Sequence, residues 1–369
     1  MGPATGTPTP LPAIPAPRTP RLNAPHPSLL EFPWPSPPPP GEAIEVASGV
    51  LWIRMPLPFA LDHINLWLAR EPDGRYTAID AGYGNDATRA VWERHFTGTL
   101  GGAPLARVIA THYHPDHLGN AAWLAHRYGC PVRMTQAEFL TAHAIIDQRA
   151  THALAETCAL FVAHGVSPDQ VRALHERGNA YARGVPEAPR TIERIIGGDV
   201  IAAGSHAWKV IAGYGHSPEH ASLHSADARL LVSGDMLLPR ISTNVSVWPA
   251  NPEDDPVGRF LASIGDFLAL PEDTLVLPSH GLPFRGIAVR VAELRAHHAA
   301  RLSELVDALV ALKRPASAAE IVPVLFRRAL DLQQTFFAVG ESIAHLNHLA
   351  RAGRVDRRVD ATGAVRFVA

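Results

Sequence analysis

Residues 111–117 read Thr-His-Tyr-His-Pro-Asp-His and place His112, His114, Asp116 and His117 within one short segment. Packing gives no reason for so dense a run of imidazole and carboxylate, groups that are seldom inside without a partner. The stretch from Ala106 to Ala110 leads straight into the cluster and reads as a buried strand, so the cluster lies where a strand leaves the core. From such a loop His112 and His114 can converge on one metal ion, while Asp116 and His117 turn toward a second. Zinc takes His nitrogen and carboxylate oxygen at roughly 2.0–2.2 Å, which suits this donor set. Two such ions about 3.5–4 Å apart make a site for metal-assisted hydrolysis. The cluster therefore calls for a fold that carries several loops to one point.

The chain has 369 residues, 47% of them hydrophobic, enough for one large domain and an appendage. Its 33 basic and 35 acidic residues nearly balance, which gives no whole-chain field for nucleic acid or an anionic membrane. Cys130 and Cys158 are too few for a disulfide framework and are expected to be reduced thiols. No segment approaches the ~20 apolar residues of a membrane span. Prolines interrupt the N-terminus where a secretory signal would need an apolar stretch, so a cytoplasmic location is expected.

Fifteen of the 34 prolines fall in the first 40 positions, and residues 1–41 are expected to form a disordered tail, with Phe32-Pro33-Trp34 as a short tether. From Glu42 onward, short strands at 44–46, 50–54, 64–68 and 76–80 precede a helix near 86–97, a strand at 108–111 and a helix over 118–128. Alternating strands and helices indicate a layered α/β arrangement. Residues 135–185 are helical in pattern and read as an insertion that could cover the site. Strands resume at 207–211, 228–233 and 274–278, with helices near 256–269 and 288–312. The last fifty residues read as short helices followed by a hairpin about Gly363, an arrangement like a winged helix. The expected units are thus the tail, a catalytic domain over 42–296, and a C-terminal module over 297–369.

Three further segments complete the opening cluster: Gly215-His216-Ser217-Pro218-Glu219-His220, Ser233-Gly234-Asp235 and Pro278-Ser279-His280-Gly281. Each ends a strand, where binding residues concentrate. A His-x-His-x-Asp-His run followed in order by Gly-His, Gly-Asp and Ser-His-Gly resembles the metallo-β-lactamase superfamily over roughly residues 42–290. The resemblance implies a four-layer αββα sandwich with the site at one edge of its two sheets. It also implies that His112, His114 and His216 bind one ion, that Asp116, His117 and His280 bind the other, and that Asp235 bridges them. Two Zn²⁺ are the expected cofactors, although similar sites accept iron or manganese. Hydroxide generated between the ions is the expected nucleophile, with Asp116 orienting it.

The core is similar to glyoxalase II and related thioesterases, which implies hydrolysis of a small-molecule thioester or ester. The basic C-terminal segment by which glyoxalase II grips glutathione is not recognisable, so an acyl-CoA thioester or simple ester fits as well. Lactone opening uses the same attack. The C-terminal module resembles the winged helix of a related endoribonuclease group, which leaves RNA or phosphodiester hydrolysis as a second class, with His345, His348 and Arg351 on the candidate recognition helix. Residues 301–369 hold ten Lys/Arg against seven Asp/Glu, a thin excess for nucleic acid, and packing on the core or a homodimer contact are the other readings of this module. A persulfide dioxygenase with a single iron is a third reading. Beyond the metal donors, His63, Arg240, Asn244 and His220 are the candidate substrate-facing or supporting residues.

Overall fold

The structure, a computed structural model, describes residues 29–369. Its first sheet runs in the order β1 (Ile44–Ala47), β2 (Val50–Pro56), β3 (His63–Arg70), β4 (Tyr76–Ile79), β5 (Leu105–Ile109), β6 (Val132–Met134) and β7 (Glu193–Arg194). β1 to β4 pair antiparallel and β4 to β7 parallel. The second sheet holds β8 (Val200–Ala203), β9 (His206–Gly213), β10 (His220–Ser225), β11 (Leu230–Gly234) and β12 (Leu275–Pro278), paired in that order. Only its β11–β12 pair is parallel.

Alternation along the strands builds the layers. Trp52 of β2 and Trp67 of β3 are directly paired across the ladder, stack at 6.2 Å, and face the second sheet. There they join Trp208, Leu223 and Val232. The neighbouring residues Ile53, Met55, Leu66 and Leu68 point the other way, onto Trp92 and Phe96 of α1 (Asp86–Thr97) and Leu124 of α3 (Ala121–Tyr128). With both faces covered, these strands read as nearly continuous hydrophobic runs. Leu231 and Val276 repeat the pattern on the far side, against α8 (Pro256–Asp266) and α9 (Ile287–Leu312). Helix, sheet, sheet and helix give the αββα order.

Between β6 and β7 lies the helical block: α4 (Gln136–Ile146), α5 (Leu154–Ala163), α6 (Pro168–Arg177) and α7 (Ala180–Gly184). The C-terminal module continues from α9 through α10 (Ala318–Leu325) and α11 (Leu332–Arg351) to the hairpin β13 (Asp356–Val359) and β14 (Val365–Val368). α11 is one long helix rather than a set of short ones. An Asp331–Gln334 capping box starts it, and Phe336, Val339 and Ile343 bury one face. The helix expected over 118–128 is broken into the single turn α2 (Pro115–Leu118) and α3, with Gly119-Asn120 between.

The N-terminal expectation needs correction. Residues 1–28 lie outside the described residues, but 29–41 are docked rather than disordered. Leu30 is buried in the core beside α9, and Glu31 exchanges two backbone hydrogen bonds with Arg285. Proline-rich chain cannot propagate a ladder, yet one apolar anchor and one bridge suffice to seat it. Among the described residues no helix is long and apolar enough to cross a membrane.

Candidate metal centre

Five strands deliver their C-terminal ends to one edge of the sandwich. Asp80 follows β4, His112 follows β5, His216 follows β9, Asp235 follows β11 and His280 follows β12. Pro115 opens α2 directly after His114, a favourable first helical position, and its single turn carries Asp116 and His117 back toward the edge. The two sheets are tied at this rim by Ala221 N–H to Thr111 O at 2.8 Å and Asn65 N–H to Ser279 O at 2.7 Å.

The seven residues singled out by motif come together. His112 Nε2 lies 2.8 Å from His114 Nδ1 and 3.2 Å from His216 Nε2. Asp116 Oδ2 lies 3.4 Å from His280 Nε2 and 3.7 Å from His117 Nε2. Asp235 stands between the groups: Oδ2 is 3.4 Å from His216 Nε2, while Oδ1 is 3.4 Å from His117 Nε2 and 3.5 Å from His280 Nε2. His117 Nε2 and Asp235 Oδ1 are fully enclosed and have no hydrogen bond among the described residues. Buried donors and acceptors are almost always paired, so these lone pairs, aimed inward, fit a cation.

Outer partners set the tautomers. His117 Nδ1 donates to Asp80 Oδ2 at 2.8 Å, His216 Nδ1 to Asn244 O at 2.8 Å and His280 Nδ1 to His63 O at 2.8 Å, which makes Nε2, facing the centre, the nitrogen each ring would offer to a cation. Thr111 Oγ1 donates to the Asp80 carboxylate and therefore accepts from His112 Nδ1 at 3.1 Å. The electrostatics are polarised. Burial pushes the His280 imidazole down, but the Asp235 and Asp116 carboxylates override it and raise it to about 10. Burial likewise pushes Asp116 up, and His117 and His280 pull it down to about 2. His114, buried and beside His216, falls to about 3.

The other candidates take different places. The His63 ring is held by Asp62 at 2.7 Å and by the Gly281 N–H at 3.0 Å, so it braces the His280 turn. Arg240 lies over the Phe32 ring at 5.4 Å. Asn244 contributes its carbonyl to His216 while its side chain bonds Glu341. His220 is buried, and its Nε2 accepts the Asp235 N–H at 3.2 Å. Gly234 has φ +53°, and a Cβ there would stand 2.2 Å from that His220 nitrogen. The direction of a loop side chain has no sequence signature, so the partners of His63, Arg240 and Asn244 could not be read in advance.

Two residues escaped the sequence reading. Asp80 sits at φ +63° and accepts from Thr111 N, Thr111 Oγ1 and His117. Its signal was faint: a carboxylate closing an apolar strand. Glu138 of α4 is buried and accepts from Tyr113 N at 2.9 Å, Ser217 Oγ at 2.7 Å and Glu219 N at 2.6 Å. It thereby joins the His112–His114 loop to the His216 loop. Burial raises this carboxyl to about 7 against those three hydrogen bonds.

A cavity of about 640 Å³ opens on the His114 and His216 side of the centre. Phe59, not His63, represents the 57–65 loop there, edge-on to Tyr83 at 5.3 Å. Its walls also include residues of the helical block and of α11.

Comparison with known proteins agrees with this geometry. The family described as Metallo-beta-lactamase superfamily matches residues 60–280, and Metallo-beta-lactamase-like, C-terminal domain matches 302–369. Probable metallo-hydrolase YqjP of Bacillus subtilis (strain 168) is 24% identical over 311 residues, 81% of this chain and 92% of the relative. A beta-lactamase domain protein from Burkholderia ambifaria, solved by crystallography, is 44% identical with a TM-score of 0.85, over 92% of this chain and 98% of its own. A metallo-beta-lactamase family protein from Thermus thermophilus is 27% identical with a TM-score of 0.72, over 88% of this chain and 99% of its own. With the fold and both family matches in agreement, the chain belongs to the metallo-beta-lactamase superfamily.

Proposed function

We propose that this protein is a dinuclear zinc hydrolase that cleaves a thioester or ester carbonyl, of the acyl-CoA or S-acyl type. The observation behind this reading is the Asp235 carboxylate, which turns one oxygen toward each donor group. His112, His114 and His216 would hold one ion, Asp116, His117 and His280 the other, and Asp235 would be shared. A pair of ions so held supplies a water acidified to near neutrality and positive charge for an oxygen that becomes negative. The chain does the rest. Asp80, Asn244 and His63 keep three imidazoles in the metal-accepting tautomer. Asp116, partly open to solvent, would orient the attacking water and take its proton on a carboxylate oxygen. The cavity beside His114, with many apolar side chains in its walls, would receive the acyl side.

Lactone opening would use the same groups. Phosphodiester cleavage with nucleic acid on α11 has less behind it. His345 is buried, His348 Nδ1 is 2.9 Å from Asp255, and Arg351 donates to Glu253 O, so the helix spends its polar groups on packing. A panel of thioesters, esters, lactones and phosphodiesters, with metal content measured on the same preparation, tests the reading. About two zinc ions per chain with thioester or ester turnover is the expected result for a two-metal site. A single iron without hydrolysis, or turnover confined to phosphodiesters, would overturn it.

A further inference from the structure

The cavity beside the metal centre is built from three segments far apart in sequence. Leu154 and Phe161 come from α5, Trp248 from the loop between β11 and α8, and Phe336 and Phe337 from α11. Phe161 and Phe336 stack at 5.4 Å with 9° between the rings. Trp248 meets Phe337 nearly edge-on at 6.5 Å, and the two side chains remain 37% and 40% exposed. Exposed aromatics that line a concave space of several hundred Å³ mark a ligand pocket better than a packing defect.

The charges along the same wall are unbalanced. Arg177 donates Nη2 to Gln333 Oε1 at 2.7 Å, and Arg183 donates Nη1 to the Arg177 carbonyl at 2.8 Å. Each guanidinium is thus positioned by a neutral acceptor, and neither has an ion pair among the described residues. Arg259, on the same wall, differs: its charge is met by Asp254 at 3.1 Å. Two positioned cations without counter-charge suit an anion, because guanidinium hydrogen bonds to carboxylate or phosphate are the strong, directional kind. Aromatic walls together with unmatched cations describe an amphipathic ligand.

We infer that the cavity takes the hydrocarbon chain of an acyl substrate and that Arg177 and Arg183 hold an anionic group on that substrate. The inference rests on the hydrolase reading for the reacting carbonyl alone. It makes the C-terminal module, through Phe336 and Phe337 of α11, a determinant of acyl specificity. It also gives the Arg177–Gln333 bond, which joins α6 to α11, a part in shaping the pocket.

Equilibrium binding to the full chain, measured metal-replete and again metal-free so that capture of the probe's anion by the metal centre is separated from the arginines, tests this without turnover. Straight-chain carboxylates from butyrate to tetradecanoate are titrated while tryptophan fluorescence is read, with alkyl phosphates and the matched alcohols in parallel. Affinity is expected to tighten about fourfold per added methylene until the cavity is filled. Phe337→Ala is expected to flatten that gain while leaving butyrate unchanged. Arg177→Gln and Arg183→Gln are expected to weaken the anions roughly tenfold or more and to leave the alcohols unchanged. Preference for phosphate or for carboxylate identifies the anion, and either one satisfies the inference. Affinity independent of chain length, or arginine variants that weaken anions and alcohols alike, would overturn it. Chain-length selectivity without thioester or ester turnover would sink the hydrolase reading alone. Turnover of short thioesters without chain-length selectivity would sink the cavity inference alone.

Discussion

Asp80→Asn isolates what the outer carboxylate does for the metal centre. Asn is nearly isosteric and is among the few residues that tolerate a φ of +63°, so the backbone at the end of β4 is kept. The change is electrical. Asp80 Oδ2 accepts from His117 Nδ1, while Oδ1 accepts from Thr111 N at 2.8 Å. An Asn that keeps its oxygen toward Thr111 N turns its NH₂ toward His117. Without metal the buried His117, held protonated by Asp80, Asp116 and Asp235, can respond to the loss of Asp80 by giving up its Nδ1 proton and keeping the one on Nε2, and no group is left unpaired. With metal, Nε2 must be a lone pair, so two donors face each other across 2.8 Å. Flipping the amide only moves the conflict to Thr111 N. One unpaired buried donor costs about 1–3 kcal/mol, which is roughly 5- to 150-fold in Kd. That range agrees with the roughly 10- to 100-fold loss usual when an outer partner of a ligating His is removed. Because the donor–donor conflict falls on the loaded state while the metal-free form loses only the Asp80–His117 attraction, zinc affinity should fall by more than metal-free stability does. The assay is zinc affinity by competition with a chromophoric chelator, paired with thermal unfolding of the metal-free forms. Zinc affinity within about threefold of wild type would refute the tautomer argument. A large drop in metal-free stability would move Asp80 from metal binding to fold maintenance.

Other consequences can be checked separately. Asp235→Ala removes the one carboxylate aimed at both donor groups, so metal-dependent hydrolysis should vanish with far-UV dichroism unchanged; persistent turnover at full zinc content would contradict the shared role. Glu138→Gln leaves either Tyr113 N or Glu219 N facing an NH₂ group and should destabilise the fold by about 1–3 kcal/mol in urea unfolding; an unchanged midpoint would show the carboxylate is dispensable. Leu30→Ala should cost about 2–5 kcal/mol, as for other buried leucines, whereas a free tail would show no change. His164 and His345 are held neutral by burial with their ionisation pushed down to about 4, and His298 to about 3. They take up protons only on unfolding, so below pH 6.5 the unfolded chain binds more protons and stability falls as pH falls, until about pH 4. The limiting slope is about 1.4 kcal/mol per pH unit for each group. Urea midpoints that stay level between pH 7 and pH 5 would count against it, and His164→Leu should flatten the fall.

The parts of this molecule that could be read along the chain are those whose meaning is local. His112, His114, Asp116 and His117 are contiguous, and His216, Asp235 and His280 each stand beside a glycine at the end of an apolar run. The layered sheets follow from strands that are apolar on both sides. What could not be read is set by contacts across long loops. Glu138 acts on Ser217 and Glu219, about eighty positions away, from a helix whose sequence looks like any other. The two-residue β7 is a strand only because β6 lies beside it. Leu30 looked like part of a proline tail because its pocket is built from the far end of the chain.

The positions of the donors also set the order in which the centre can be completed. The first four candidate donors are finished by residue 117, yet the last, His280, closes β12. At a translation rate of roughly 5–20 residues per second, the gap amounts to on the order of ten seconds or more. Until His216 and Asp235 are made, the nascent chain displays three imidazoles and a carboxylate without those donors, and until His280 is made the second group stays incomplete. His280 then docks its Nδ1 on the carbonyl of His63, a residue of the first sheet made long before. Seating that one ring requires that both sheets have met, so the second donor group would be completed only after the sandwich has formed.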